Sequence, residues 1–528
     1  MTMKNIFVIL SLAVLVMSCG GTGNGRTGNG AAADSDTVAN RVQTVEELFL
    51  PDTSYASVKN LEWHAEYSDT LPQTLEYVGD IYEKAGGVRT FRKNLMRNAA
   101  FGGRVKGTPT TVETAWTFDT KYDSRPTKYG TWGGGTGWTG QPLYVKWTPA
   151  DMGMFWKNAP APLPGFTGEE IMVGSLCGNV YFIDFNTGKP SRQPYVSGNV
   201  IKGTMSLDPE LKNLYAGQGV PHGEPFGNFV FDLLRHERTF FFARDPKAPR
   251  GWNAFDSSPV VAGGYLFWAG ENGSVYKFRR EQGRLILAAV ARYRADGMAP
   301  GIESSLCVYR NYGFFSDNKG NIICLNLNTM KPVWHCKNLD DSDGTPVCSV
   351  ENGTPYIYTA CEVDKQGDEG FCRFLKLNAL DGSVVWEQLI RCTRFLLPGK
   401  TLDGGMYATP LFGSGDCKGM IFANICRNKA GKKLGELTAL STSGGKILYT
   451  VPLDYFAWSS PVALHNEKGE MYIFTGDASG SIYLVRGKTG EVIFKKHVAN
   501  NFESSPVVVE NSVVVGSRGT TIYKFTVK

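Results

Sequence analysis

The sequence predicts an all-β fold in which one small unit is repeated around a ring. Three observations predict it. Glycine is frequent, 62 of 528 residues, and 30 Phe, 23 Tyr and 11 Trp stand in short runs between glycine turns. A unit that opens with two small residues and a proline recurs from about residue 138 to the C-terminus. The last unit is one strand short, and a strand of the missing type stands alone early in the chain. With 42% hydrophobic, 12% aromatic and 20% charged residues, the chain is neither disordered, collagen-like nor a polytopic membrane protein. Its 55 basic residues nearly balance 50 acidic ones, so no electrostatic footprint for nucleic acid is present.

The units justify the prediction one element at a time. Clear copies open at Ser257-Ser258-Pro259, Ser304-Ser305-Leu306, Thr345-Pro346, Thr409-Pro410, Ser459-Ser460-Pro461 and Ser504-Ser505-Pro506. Looser ones open at Gln141-Pro142 and Thr204-Met205. Each has room for four short strands, which is one antiparallel blade of a β-propeller. Counting the copies predicts eight four-stranded blades, or seven if the weak copy at 198–244 is not one. Proline suits the start of the first strand, because that strand is the inner edge of its blade and needs no N–H there. An aromatic residue after the last turn of a unit (Trp334, Trp386, Tyr449, Phe494) is placed to pack between adjacent blades. The final unit ends at Lys528 after three strands, and residues 112–118 (VETAWTF) match the fourth. That strand is expected to close the ring and protect its edges.

The repeat, best seen in Asn378-Ala379-Leu380-Asp381-Gly382-Ser383-Val384-Val385-Trp386, resembles the pyrroloquinoline-quinone (PQQ) β-propeller repeat. The resemblance covers roughly residues 90–528, and the lead-in segment Phe91–Asn98 is similar to one found in many such proteins. The family includes quinoprotein alcohol dehydrogenases and non-catalytic lipoproteins, among them the propeller subunit of the outer-membrane β-barrel assembly machinery. It therefore implies a fold and leaves the chemistry to the site.

Four regions are expected. Residues 1–18 read as a lipoprotein signal: Lys4, an apolar run from Ile6 to Val16 too short to span a membrane, then Ser18 before Cys19. Cys19 is the expected lipidated residue, and the glycine-rich stretch 19–40 the flexible tether. Residues 41–88 form a small, partly helical extension, with Thr44-x-x-Glu47 as a capping box. Leu71, Leu75, Val78, Tyr82 and Ala85 keep helical spacing before a Gly86-Gly87 stop. This extension is expected to pack on the propeller, plugging one face. Residues 89–528 are the propeller.

Chemical motifs are sparse. Ten cysteines follow Cys19, with no CxxC and no adjacent pair. They are either bridges between neighbouring strands, as Cys361/Cys372 and Cys417/Cys426 allow, or buried thiols. No two of the six histidines sit at i, i+2 or i, i+4, so a zinc site has no local nucleus. Gly135-x-Gly137-x-x-Gly140 matches GxGxxG, but a strand follows it where a helix is needed, so it reads as a loop over the propeller face. Within that loop Trp132 and Trp138 are placed to meet a ligand. The most informative positions lie three residues before each unit's proline: Thr139, Lys202, Asp256, Glu303, Asp343, Tyr407, Trp458 and Glu503. In a propeller this column encircles one mouth of the central channel. It predicts an acidic, aromatic-rimmed funnel for a cation, a sugar or a basic peptide segment. Equally, an acid before a Ser-Ser-Pro turn can serve as a cap for backbone N–H groups.

The expected function is that of a non-enzymatic, lipid-anchored scaffold or binding module of the bacterial cell envelope, at the outer membrane and facing the periplasm. An envelope or outer-membrane protein is the expected partner, the propeller is expected to be monomeric, and no nucleic acid, metal or cofactor is called for. The alternatives are a quinoprotein-type oxidoreductase using PQQ and calcium, a small-ligand binder, or a glycan binder on Trp132, Trp138 and Trp458. The adjacent-cysteine pair that the resemblance implies for a quinone enzyme is missing.

Overall fold

Eight small antiparallel sheets stand around a central channel. The computed structural model describes residues 60–528 apart from 73, 76–78, 139, 159, 398–399 and 430–431. The signal, Cys19, the tether, the capping box at Thr44 and Thr139 lie outside the described residues. The inner strands of blades 1 to 8 are Leu143–Lys146, Ser206–Leu207, Val260–Ala262, Cys307–Tyr309, Val347–Glu351, Leu411–Phe412, Val462–His465 and Val507–Val509. Each begins directly after the proline-equivalent position. Blade 7 is typical, with Val462–His465, Met471–Gly476, Ser481–Arg486 and Val492–His497 paired in sequence order. The weak copy forms a full blade too, with Ser206–Leu207, Asn213–Gly217, Asn228–Asp232 and Glu237–Phe242, which settles the count at eight.

The ring closes as expected. Val112–Asp119 pairs antiparallel with Thr521–Val527, from Val112 opposite Val527 to Asp119 opposite Thr521. The last strand of the chain thereby gains the outer neighbour that its own unit lacks.

Blade-to-blade packing explains the aromatic after each last turn. Trp334 of blade 4 donates its indole N–H to Ala379 O of blade 5 at 2.9 Å, and Trp386 of blade 5 donates to Thr442 O of blade 6 at 2.9 Å. Trp116, on the closing strand, does the same to Phe185 O of blade 1 at 2.9 Å. Each ring lies over a turn glycine of the receiving blade. A Cβ on Gly382 would meet Trp334 at 2.7 Å, and one on Gly445 would meet Trp386 at 2.5 Å. Both glycines also have positive φ, 74° and 69°, so shape and backbone demand glycine together.

A second interlock accounts for the small residue before each proline. Ser258 N–H donates to Ser305 Oγ (2.8 Å), Ser305 N–H to Thr345 Oγ1 (3.0 Å), Thr409 N–H to Ser460 Oγ (2.9 Å) and Ser460 N–H to Ser505 Oγ (3.2 Å). These hydroxyls form a belt in which blades 4, 5, 7 and 8 each satisfy a backbone donor of the preceding blade.

The channel itself is filled by residues 88–105, which form a hub. Val88 exchanges backbone hydrogen bonds with Tyr144 of blade 1, and Leu207 N–H of blade 2 donates to Arg89 O at 2.8 Å. Thr90 Oγ1 donates to Pro259 O of blade 3 at 3.4 Å. Val308 N–H and Cys348 N–H, of blades 4 and 5, donate to Leu95 O and Met96 O. Arg92 reaches Pro410 O of blade 6 (3.1 Å) and Pro461 O of blade 7 (2.7 Å), and Arg104 N–H donates to Glu510 O of blade 8 (2.8 Å). Inner-edge strands have unpaired backbone groups facing the channel, and the hub supplies their partners. Holding it costs strain: Arg92, Lys93 and Arg97 have φ of 56°, 78° and 57°, conformations that cost about 1–3 kcal/mol each in non-glycine residues.

The segment before the hub differs from its helical expectation. Among its described residues only Ile81–Ala85 is helical, capped by Asp80, which accepts from Tyr82 N–H and Glu83 N–H, and Val78 lies outside the described residues. Leu71 and Leu75 lie in irregular chain, and Leu61–Tyr67 is a strand paired with Arg284–Ala295 as a fifth, outer strand of blade 3. Trp63 stacks on Tyr293 (5.1 Å) and donates to Met330 O of blade 4 at 2.8 Å. Alternating burial on the blade's outer edge overrides the weak helical spacing. The described end of this extension packs on the propeller: Tyr82 OH is bonded to Ser206 Oγ and Val261 N–H, and Asp80 accepts from Leu95 N–H of the hub.

Candidate funnel site

The column three residues before the prolines does converge, and it divides into an acidic half and a cation-aromatic half. Asp256 of blade 3 is 1% exposed and forms an ion pair with Lys202 of blade 2. Glu303 of blade 4 and Glu271, which follows the second strand of blade 3, complete a group of three carboxylates whose oxygens lie within 4.8 Å of one another. Glu271 accepts the indole N–H of Trp252 at 2.9 Å on one oxygen, while Oε1 has no hydrogen-bond partner. Burial would lower the Lys202 ammonium's pKa, but Asp256, Glu303 and Glu271 override it and raise it. Burial pushes Glu303 up to about 7, against the pull of Lys202, and raises Glu271 further with Glu303 and Asp256 beside it.

A second triad lies between blades 5 and 6, with Glu362 in a short strand, Glu362–Val363, that pairs with Gly404–Gly405 of blade 6. Asp343 of the column joins Asp341 and Glu362, again with carboxylate oxygens within 4.8 Å of one another. Glu362 is 3% exposed, and its Oε1 has no hydrogen-bond partner. Neither do Asp341 Oδ1 and Asp343 Oδ1. Burial raises Asp343 and Glu362 well above the usual carboxylate range, and Asp341 beside them adds to it. Tyr407 of blade 6 lies against Glu362, and its ring meets Trp458 of blade 7 at 5.0 Å.

The remaining column members complete the rim. Glu503 of blade 8 accepts from Arg518 Nη1 at 2.8 Å and from Asn501 Nδ2 at 2.8 Å. Arg518 lies over Trp132 at 5.0 Å, and Lys202 lies 5.8 Å from the same ring. Trp132 thus sits between two cations. It ends a hairpin of Asp123–Thr127 and Gly130–Gly133, whose Tyr129 packs on Trp252 at 5.1 Å. Trp138 is buried, 8% exposed, and Trp458 packs on Tyr407 and Phe456, so the three tryptophans do not form one shelf.

The capping role finds no support in the hydrogen bonds. No backbone N–H donates to Asp256, whose partner is the Lys202 ammonium, or to Oδ1 of Asp343, and the turns are held by the hydroxyl belt. The GxGxxG loop is structural: a Cβ on Gly135 would lie 2.0 Å from Ser517 O, and one on Gly140 would lie 2.9 Å from Lys202 O. All ten described cysteines are free thiols, nine of them buried. Glu271, Asp341 and Glu362 were not singled out in the sequence. The signal for Glu271 is its place directly after the second strand of blade 3, while Glu362 lies one residue further on in blade 5, in the short strand Glu362–Val363.

No protein-family model and no curated protein sequence matches the chain. Among solved structures, it is similar to quinohemoprotein alcohol dehydrogenase from Comamonas testosteroni, at 13% identity over 83% of this chain and 80% of that one, TM-score 0.58. The quinohemoprotein alcohol dehydrogenase ADHIIG from Pseudomonas putida HK5 gives 11% identity, 84% and 80% coverage and a TM-score of 0.56. BamB from Moraxella catarrhalis gives 13% identity, 79% and 98% coverage and a TM-score of 0.49. The funnel does not fit the quinone cofactor of such dehydrogenases. PQQ carries three carboxylates, and six carboxylates converge here, one set already neutralised by Lys202. At these identities the likeness is one of architecture, and the chain carries the eight-bladed fold of the PQQ-like β-propellers.

Proposed function

We propose that this is a non-enzymatic, lipid-anchored propeller of the bacterial cell envelope that holds a partner protein or an extended ligand on its funnel face. One observation carries the reading: the hub of residues 88–105 fills the channel and is bonded to all eight blades. A disc tied together in this way is a rigid platform, with loops gathered at its faces. The funnel adds the polar and aromatic groups that a docking segment needs. The reading takes residues 1–18 as signal, Cys19 as lipid attachment and 19–40 as tether, which would hold the disc at a membrane surface, with the outer membrane and its periplasmic side as the expected site. No described helix is long and apolar enough to cross a membrane.

Crosslinking in intact cells, followed by purification of the tagged protein and mass spectrometry, tests the scaffold role. A stoichiometric envelope partner that survives a high-salt wash is expected. Recovery of the propeller alone would reject it. Labelling with a fatty-acid analogue should be lost in Cys19→Ala. A second reading, a small cationic ligand bound in the funnel itself, is favoured by the unpartnered oxygens of Asp341, Asp343 and Glu362.

A further inference from the structure

We infer that Cys307 of blade 4 and Cys348 of blade 5 are a modification site, a thiol pair that oxidises to a disulfide joining the two blades. The repeat itself brings them face to face. Cys307 directly follows the proline-equivalent of its unit, and Cys348 stands two residues after the proline of the next. At other joints these two positions carry apolar residues that pack in one core cluster: Val260 with Val308, Val347 with Phe412, and Val462 with Val508. The joint between blades 4 and 5 places cysteine at both positions, and no other joint has cysteine at either.

Strand register fixes the faces. Residues directly opposite in an antiparallel pair share a face. Cys307, Phe314, Cys324 and Trp334 are opposite one another in turn across blade 4, and Trp334 is the residue that reaches blade 5. Cys348, Ile357 and Leu377 form the matching row on blade 5, and both rows belong to one buried cluster. The hub sets their height. Met96 O accepts the Cys307 thiol at 3.3 Å and Cys348 N–H at 3.0 Å, so one carbonyl oxygen touches both residues. Both cysteines are fully buried, and both are thiols here, the reduced form of the pair.

The oxidant is a disulfide, either of low molecular weight or of a thiol–disulfide exchange protein. One cysteine, as its thiolate, attacks a sulfur of that disulfide and expels a thiolate. The other cysteine then attacks the mixed disulfide and expels the second half. One S–S bond is made and one is broken, and the two cysteine protons pass to the two thiols released. Burial, with Cys307 beside it, raises the Cys348 thiol well above its ordinary range, so the folded joint holds little of the attacking thiolate. Exchange therefore runs before blades 4 and 5 close on each other, and the finished bond is shielded from reductant. It closes a loop that contains all four strands of blade 4. The export read for residues 1–18 supplies such an oxidant in the cell, and the chemistry is tested on the purified protein whatever its compartment.

The protein is unfolded in urea with dithiothreitol and refolded in reduced or in oxidised glutathione. Free thiols are blocked with N-ethylmaleimide, and a non-reducing digest is read by mass spectrometry. The oxidised sample should contain the Cys307 peptide joined to the Cys348 peptide and should melt about 2–4 °C above the reduced one. Folded, reduced protein held in oxidised glutathione with sub-denaturing urea gives the same readout without refolding. Cys307→Val and Cys348→Val, which install the residue used at equivalent joints, should fold, yield no joined peptide and lose the melting difference. Recovery of both cysteines as blocked thiols from the oxidised samples would overturn the pair. A bond from either one to Cys324 or Cys336, in place of the bond between them, would overturn it equally.

Discussion

At the hub, Arg92 and Arg97 are fully buried, and their guanidinium N–H groups are bonded to carbonyls of four blades. At the funnel, six carboxylates crowd together and several of their oxygens have no partner. Only a few residues of each inner strand's approach separate the two. Both regions bury charge: the hub bonds most of its guanidinium N–H groups to fixed acceptors, with Arg92 Nε and Arg89 Nη1 left over, while the funnel leaves several carboxylate oxygens without a partner. The difference teaches how to tell a structural polar cluster from one kept for a ligand. Charge that holds a fold together is for the most part satisfied within the chain, and the funnel carboxylates are satisfied less fully.

The strongest way to break this contrast is at the hub. Arg97→Met removes hydrogen bonds to Leu306 O, Ser258 O, Phe91 O and Thr90 Oγ1, and orphaned acceptors cost about 1 kcal/mol or more each. A loss of about 3–5 kcal/mol in urea unfolding is expected, and a loss below about 1 kcal/mol would mean the hub is dispensable.

Lys202→Met comes next, because it turns the first triad into a second unmet one. Removing one partner of a buried ion pair costs on the order of 3 kcal/mol. Part of that loss should return with millimolar propylammonium, or as the pH falls through about 7, where Glu303 takes up its proton. No rescue by either would show that Lys202 acts through packing alone.

The pH dependence sharpens the comparison further. Glu303 titrates at about 7 in the folded chain against a reference of 4.5. A raised folded value favours the protonated form, so its contribution to stability is complete below about pH 4.5 and is lost as pH rises through about 7. Glu303→Gln should therefore flatten the fall in unfolding free energy between pH 5 and 8 by on the order of 1 kcal/mol. An unchanged slope would place Glu303 in solvent.

The smallest effect is at the second triad. Asp343→Asn or Glu362→Gln relieves like-charge crowding, so stability at pH 8 should rise by up to about 1 kcal/mol while ligand binding falls. A clear loss of stability would show that these acids are structural after all.

Much of the ring was legible in the chain. Pro259, Pro410, Pro461 and Pro506 mark inner edges because proline is tolerated where no N–H is needed. Trp334 and Trp386 mark the blade contacts, and Val112–Asp119 is legible as the closing strand because it repeats a pattern missing after Lys528. The column of Lys202, Asp256, Glu303 and Asp343 was visible for the same reason: a repeat places equivalent residues at equivalent heights. The strand Leu61–Tyr67 was not legible, since only the exposed edge of blade 3 gives it a partner. Nor was the hub, whose Arg92 bonds a carbonyl 369 residues away.

The sequence by itself determined the blades, because periodic burial, turn glycines and edge prolines are local physics repeated eight times. The tertiary structure alone decided which charges meet. Whether a carboxylate is neutralised, as Asp256 is by Lys202, or left open, as Glu362 is beside Tyr407, depends on what the neighbouring blade presents at the same height. Coulomb interactions act over a few ångströms in space and carry no record of separation along the chain.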